Sequence, residues 1–164
     1  MKVTEFDIPF SGLALGKHEF AFELNDKFFE LFEYQDQSGL QGKVQMELHK
    51  SETLMDTSWS FTGSIAATCD VTGESFTQDL NNSFELQIKF GNEYNDENDE
   101  ILILPYGDHK FNAAQLMYEL VVLSIPLKLV SPNAETEEVE EEEEGENNEQ
   151  TDPRWDQLKD LLNK

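Results

Sequence analysis

Cysteine is almost missing from this chain: Cys69 is the one thiol in 164 residues. An intrachain disulfide framework is therefore excluded, and a secreted scaffold is not expected. The histidines are His18, His49 and His109, too few and too scattered to complete a four-ligand zinc site with Cys69. None of them is adjacent to Cys69 in sequence to activate it as a nucleophile, so this thiol reads as a small buried residue closing a strand face. Bases are scarce too, with 11 Lys+Arg against 35 Asp+Glu and a net charge of -24. No basic stripe or arginine cluster is present to offset repulsion by phosphate. Long apolar runs are absent: Leu120 to Leu127 is broken by Ser124 and Pro126 and falls far short of a membrane span. The start, MKVTEFDIPF, has neither the basic opening nor the apolar middle of a signal peptide. A soluble cytoplasmic protein without membrane contact is expected.

Signatures of catalysis are lacking as well. There is no Gly-rich phosphate loop and no GxSxG elbow. Counting an EF-hand from Asp96 places Asp96, Asn98 and Glu100 well, but Ile101 takes the glycine position and Gly107 the closing glutamate. Paired carboxylates are too abundant to be diagnostic. The expectation is no enzyme, no metal and no cofactor.

What the chain has is acid, unevenly spread. Residues 134–151 hold ten acids and no base, and residues 152–164 hold three of each. The remaining 133 residues carry 22 acids against 8 bases, a net of −14, so even the folding part is acidic. Such a polyanion attracts basic proteins.

It also has a long alternating pattern. From Trp59 to Cys69 the odd positions are Trp59, Phe61, Gly63, Ile65, Ala67 and Cys69, while Ser58, Ser60, Thr62 and Ser64 lie between them. Phe76, Leu80, Phe84, Leu86, Ile88 and Phe90 repeat the pattern on even positions. Period-2 alternation of this length predicts two half-buried antiparallel strands, Thr57 to Phe90, reversing through Cys69 to Glu74. Gly63 suggests a bulge or bend in the first.

Around this hairpin, Lys2 to Ile8 is expected as a strand, Phe20, Phe22 and Leu24 mark a second, and Gln41 to Lys50 a third. Asn25 and Asp26 can cap a short turn through Phe28, Phe29 and Phe32. Gly91 to Glu100 reads as a polar loop and Ile101 to Leu104 as another strand. Asn112 followed by Gln115 is an Asn/Gln capping box, and Ala113, Leu116, Met117, Leu120 and Leu123 fall on one helical face ended by Pro126. Leu127 to Val130 would add an edge strand.

The expected class is α+β. An antiparallel meander sheet, strongly curled or partly closed, carries one main helix on its apolar face across residues 1–133. Residues 134–151 are too acidic to collapse and form a disordered linker. Residues 152–164 restart with Asp152 as N-cap, Pro153 at the first helical position, and Trp155, Leu158, Leu161 and Leu162 on one stripe. A short amphipathic helix on an acidic arm has the layout of a tethered docking tail.

Three features occur in order: the turn Cys69, Asp70, Val71, Thr72 before Gly73, Glu74 and Phe76; Glu119, Leu123 and Pro126 on and after the helix; and Asp152, Pro153, Arg154 before Leu158 and Leu161. Together they resemble the YceD family, described by its role in accumulation of large-subunit ribosomal RNA. In that family the turn is Cys-x-Arg-Cys; here Val71 replaces the arginine and Thr72 the second cysteine, so no metal or redox role of a cysteine pair carries over. The resemblance implies a non-catalytic ribosome-assembly factor. Its partner would be a basic ribosomal protein or a large-subunit precursor, with indirect contact to ribosomal RNA; direct binding of that RNA is the alternative. The binding residues it implies are Cys69, Asp70, Thr72, Gly73, Glu74, Glu119 and Pro126, and in the tail Asp152, Pro153, Arg154, Leu158 and Leu161, to which the amphipathic stripe adds Trp155.

Overall fold

The structure is a computed structural model that describes residues 1–134. The acidic stretch beyond residue 134 and the tail with Asp152, Pro153, Arg154, Trp155, Leu158 and Leu161 lie outside the described residues. In chain order a 3-10 turn, Val3–Phe6, leads to β1 (Asp7–Pro9), β2 (Gly16–Asn25), α1 (Asp26–Glu30) and β3 (Ser38–Lys50). Then come β4 (Leu54–Thr68), β5 (Ser75–Gly91), β6 (Asn95–Asn98), β7 (Ile101–Pro105), β8 (Lys110–Asn112) and α2 (Ala114–Val122). The class is α+β. A six-stranded sheet runs β2-β3-β4-β5-β7-β6, and β1 pairs with β8 in a separate ribbon.

The expected hairpin forms its spine. β4 and β5 pair without a slip from Leu54–Lys89 to Thr68–Ser75. At its middle Trp59 stands opposite Phe84, the rings stacked at 5.7 Å with 5° between planes. Burying an indole also buries its N–H, which must find an acceptor. Trp59 Nε1 donates to Thr57 Oγ1 at 2.8 Å, and that hydroxyl donates to the Leu86 carbonyl at 2.8 Å. β2 and β3 extend the same alternation, with Leu24, Val44, Met46 and Leu48 buried.

Several expectations need correction. The sheet is open, with β2 and β6 as its edges. The meander ends at β5, because β7 runs parallel to it while β6 lies outside as an antiparallel neighbour of β7. Burial explains the order: Leu102 and Leu104 are buried and Ile101 and Ile103 half-buried, so ILIL suits an interior position. The polar NDEN of β6, expected as loop, suits an edge. At the amino end Val3–Phe6 winds a 3-10 turn instead of a strand; Val3 stays 48% exposed, while Phe6 and Ile8 reach the core. Gly63 keeps register with Gly42 and Leu80, and the register shift lies in β3 between Ser38 and Gln41. Gly63 is instead a close approach, since a Cβ there would lie 2.6 Å from the Gln41 carbonyl oxygen.

α2 differs in its face and its ends. Asn112 Oδ1 accepts from the Ala114 N–H at 3.0 Å, but Gln115 bonds forward to Glu119 at 2.7 Å, so the capping box does not close. Ala114, Met117 and Val121 pack into the core, and Leu123 is 77% exposed. Two apolar stripes share this helix: a core stripe at 114, 117, 120 and 121, and a lateral pair at 116 and 123, half-buried and exposed. Sequence spacing merged them into one. The helix stops at Val122, before Pro126, in tightened turns from Ser124 to Val121 and Ile125 to Val122. No helix among the described residues is long and apolar enough to cross a membrane.

Candidate functional site

The hairpin reverses through a turn that closes on itself and on the chain after α2. The Cys69 N–H donates to Glu74 O and the Gly73 N–H to Cys69 O, both at 2.8 Å, with Gly73 at φ 73°, the left-handed region that glycine tolerates. The Asp70 N–H donates to Leu129 O at 2.7 Å, and the Leu129 N–H donates back to Asp70 Oδ2 at 2.7 Å. One residue earlier the Ser131 N–H donates to Cys69 Sγ at 3.3 Å. These bonds take the amides of Leu129 and Ser131, which explains why Leu127 to Val130 adds no strand to the sheet. Leu127 itself is fully exposed.

Cys69 is buried, as expected. Its thiol is nevertheless lowered to about 7, first by hydrogen bonding from Thr72 and then by the N–H groups of Ser131, Thr72 and Val71, against the opposing effect of desolvation. Thr72 stands where the resembled turn has a second thiol, and its Oγ1 accepts from the Glu74 N–H at 3.4 Å. The arrangement holds the turn to the segment after Pro126.

Of the residues singled out from sequence, Cys69, Asp70, Thr72, Gly73 and Glu74 share this turn, and exposed Pro126 leads into the segment clamped to it. Glu119 belongs to a different feature. Beside α2 runs a trough of about 610 Å³. Its floor is Leu86, Leu102, Leu104 and Phe111, and along its wall half-buried Leu116 and exposed Leu123 flank the buried Leu120. Asn82 Nδ2 donates to the Leu120 carbonyl at 3.1 Å, fixing the helix to β5.

Carboxylates rim the trough: Asp96, Asp99, Asp108 and Glu119. Tyr94 stands on the same rim, 57% exposed, and donates to Asp96 Oδ2 at 3.1 Å. Its phenol is pushed up, first by partial burial, then by the bond to Asp96 and the charges of Asp96 and Glu119. The one cation lining the trough among the described residues, Lys110, is engaged by Asp7 at 2.6 Å. Asn112 and Lys110 together hold the Asp7 carboxyl below its usual range. Sequence reasoning missed Tyr94, Asp96, Leu116 and Leu123 as one surface. The spacing of Leu116, Leu120 and Leu123 is the available signal; its core reading holds for Leu120 and fails for Leu116 and Leu123.

Two further lysines are similarly occupied. Lys17 pairs with Glu47 at 2.7 Å, and Lys50 Nζ donates to the carbonyls of Phe10 and Leu13 at 2.8 Å each. Among the described residues no three His, Cys, Asp or Glu side chains group to hold a metal ion.

Among the curated proteins and the solved structures none matches the chain. The family model described as large ribosomal RNA subunit accumulation protein YceD matches residues 58–162, more than half of the sequence and including the β4–β5 hairpin from Ser58 onward, its turn, α2 and the stretch beyond. The chain therefore belongs to the YceD family, and with it to proteins involved in accumulation of large-subunit ribosomal RNA.

Proposed function

We propose that this protein acts in the cytoplasm as a non-catalytic assembly factor, binding a basic ribosomal protein or a large-subunit intermediate that carries one. The observation that carries this reading is its charge: -24 overall, with 22 acids against 8 bases before the acidic stretch begins. A surface of that sign steers cationic polypeptides toward it and bare RNA away. Contact with ribosomal RNA is then indirect. Asp70, Thr72, Gly73 and Glu74 present the exposed tip of the hairpin, shaped from inside by Cys69, and Glu119 and Pro126 add further contact points. The acidic stretch stands in for RNA toward the partner, and Asp152, Pro153, Arg154, Trp155, Leu158 and Leu161 dock.

The test is capture from lysate followed by separation of ribosomal fractions on a gradient. Basic large-subunit proteins should be retained and released by salt, and deletion of residues 134–164 should weaken their binding. Tight binding of naked ribosomal RNA at physiological ionic strength would overturn the reading in favour of direct RNA recognition.

A further inference from the structure

We infer that the trough beside α2 seats one amphipathic segment of a protein partner, its apolar side chains inserted against Leu116 and Leu123 and its lysines or arginines set against the rim. The inference rests on the proposed function for the partner's basic character, and on the trough for where and how that partner binds.

Three observations specify the occupant. Two leucines on this side of the helix lack full cover among the described residues: Leu123 is 77% exposed and Leu116 half-buried, while Leu120 between them is buried and the floor beneath is as apolar as the core. An apolar channel alongside a helix, with a wall spaced i, i+4 and i+7, matches the way an amphipathic helix is received. Asp96, Asp99, Asp108 and Glu119 fix the sign of the flanks, because Lys110 is already held by Asp7. The polar face of the sheet offers a contrast, since Lys17, Lys43 and Lys89 are interspersed there with acids and small hydroxyl residues. The walls are also set in advance. Asn82 pins the helix at Leu120, and Gln115 holds the Glu119 carboxylate on the helix surface at 2.7 Å, so little ordering is needed on binding.

The experiment uses the full chain and a fluorescein-labelled synthetic helix of leucine and lysine, with leucines at three- and four-residue spacing. Two control peptides replace every leucine by serine or every lysine by glutamate. The leucine-lysine helix should bind, and each control should bind about tenfold more weakly or worse. Leu123→Ser should weaken the leucine-lysine helix about tenfold with an unchanged thermal midpoint, and Glu119→Gln should flatten its salt dependence.

Equal binding of the serine control, or indifference to Leu123→Ser, would reduce the attraction to bulk charge and overturn the inference. Affinity that rises in Trp155→Ala would assign the trough to the chain's own carboxyl-terminal segment. A concentration-dependent dimer abolished by Leu123→Ser would assign it to a second copy. Both results overturn a foreign occupant. Ribosomal capture is scored separately. Leu123-dependent peptide binding without capture of a large-subunit protein sustains the trough and removes the ribosomal reading, whereas capture untouched by Leu123→Ser removes the trough and sustains the ribosomal reading.

Discussion

The tip of the long hairpin and the trough beside α2 lie within one chain and solve opposite problems. At the tip, polar groups are paired inward: the amides of Asp70, Leu129 and Ser131 each have a partner within the protein. At the trough, Leu123, part of Leu116 and the carboxylates face outward, and the nearby lysine is engaged by Asp7. A surface whose bonds are satisfied within the fold contributes to stability. One that leaves apolar area and like charge exposed contributes little to stability and gains on covering. Substitutions at the two should therefore separate stability from binding.

The hairpin beneath the tip gives the largest effect. Gly63→Val brings a Cβ within 2.6 Å of the Gln41 carbonyl oxygen and 2.8 Å of the Phe61 ring, so backbone or ring must shift. A loss of about 2–3 kcal/mol is expected from overpacking of this kind, read as a lower urea midpoint. Peptide binding at the trough should survive wherever the variant is folded. At the tip itself, Asp70→Ala removes the carboxylate that receives the Leu129 amide but keeps the backbone bond to Leu129. Because Asp70 is exposed the cost should be about 1 kcal/mol, seen in denaturant melts and absent from trough affinity.

Leu123→Ser is the converse case. A side chain 77% exposed has little burial to lose, so stability should stay within about 0.5 kcal/mol of the parent while peptide affinity falls. A destabilisation as large as that of Gly63→Val would mean that Leu123 packs in the core, and the contrast between the two regions would fail.

How much of this was legible in the sequence follows from what sets each element. Strict alternation of large apolar and small polar residues fixed the register of β4 against β5, because a slip of one residue exposes Trp59 and Phe61. The capping of α1 by Asn25 was equally local: its side chain accepts from the Lys27 N–H at 3.0 Å. The parallel placement of β7 was not local, since it depends on ILIL displacing NDEN from the sheet interior, a competition between segments. The trough was hidden for a related reason. Leu116 and Leu123 have the same spacing whether they face a sheet or solvent, and the packing of Ala114, Met117, Leu120 and Val121 decides which. At the turn, Cys69 was read correctly as buried, but the sulfur's hydrogen bond to Ser131 spans 62 residues and has no sequence signature.

The smallest effect concerns that sulfur and appears as a slope with pH. Hydrogen bonds from Thr72 and the neighbouring amides lower the Cys69 thiol from 9.0 to about 7. Between those values the unfolded chain binds more protons at this site than the folded one, so this contribution to stability rises with pH across the interval and levels off above it. It is lost as pH falls through about 7. Thr72→Val removes the leading donor, so the thiol should move back toward 9.0 and the rising interval should shorten from its lower end. Cys69→Ser should abolish this site's contribution to the slope. Thiolate absorbance followed in the folded protein checks the midpoint directly, and urea melts at successive pH values check the slope. A midpoint unchanged by Thr72→Val would mean that the amides of Ser131, Thr72 and Val71 suffice, and the tip would then be held closed by its backbone independently of the hydroxyl.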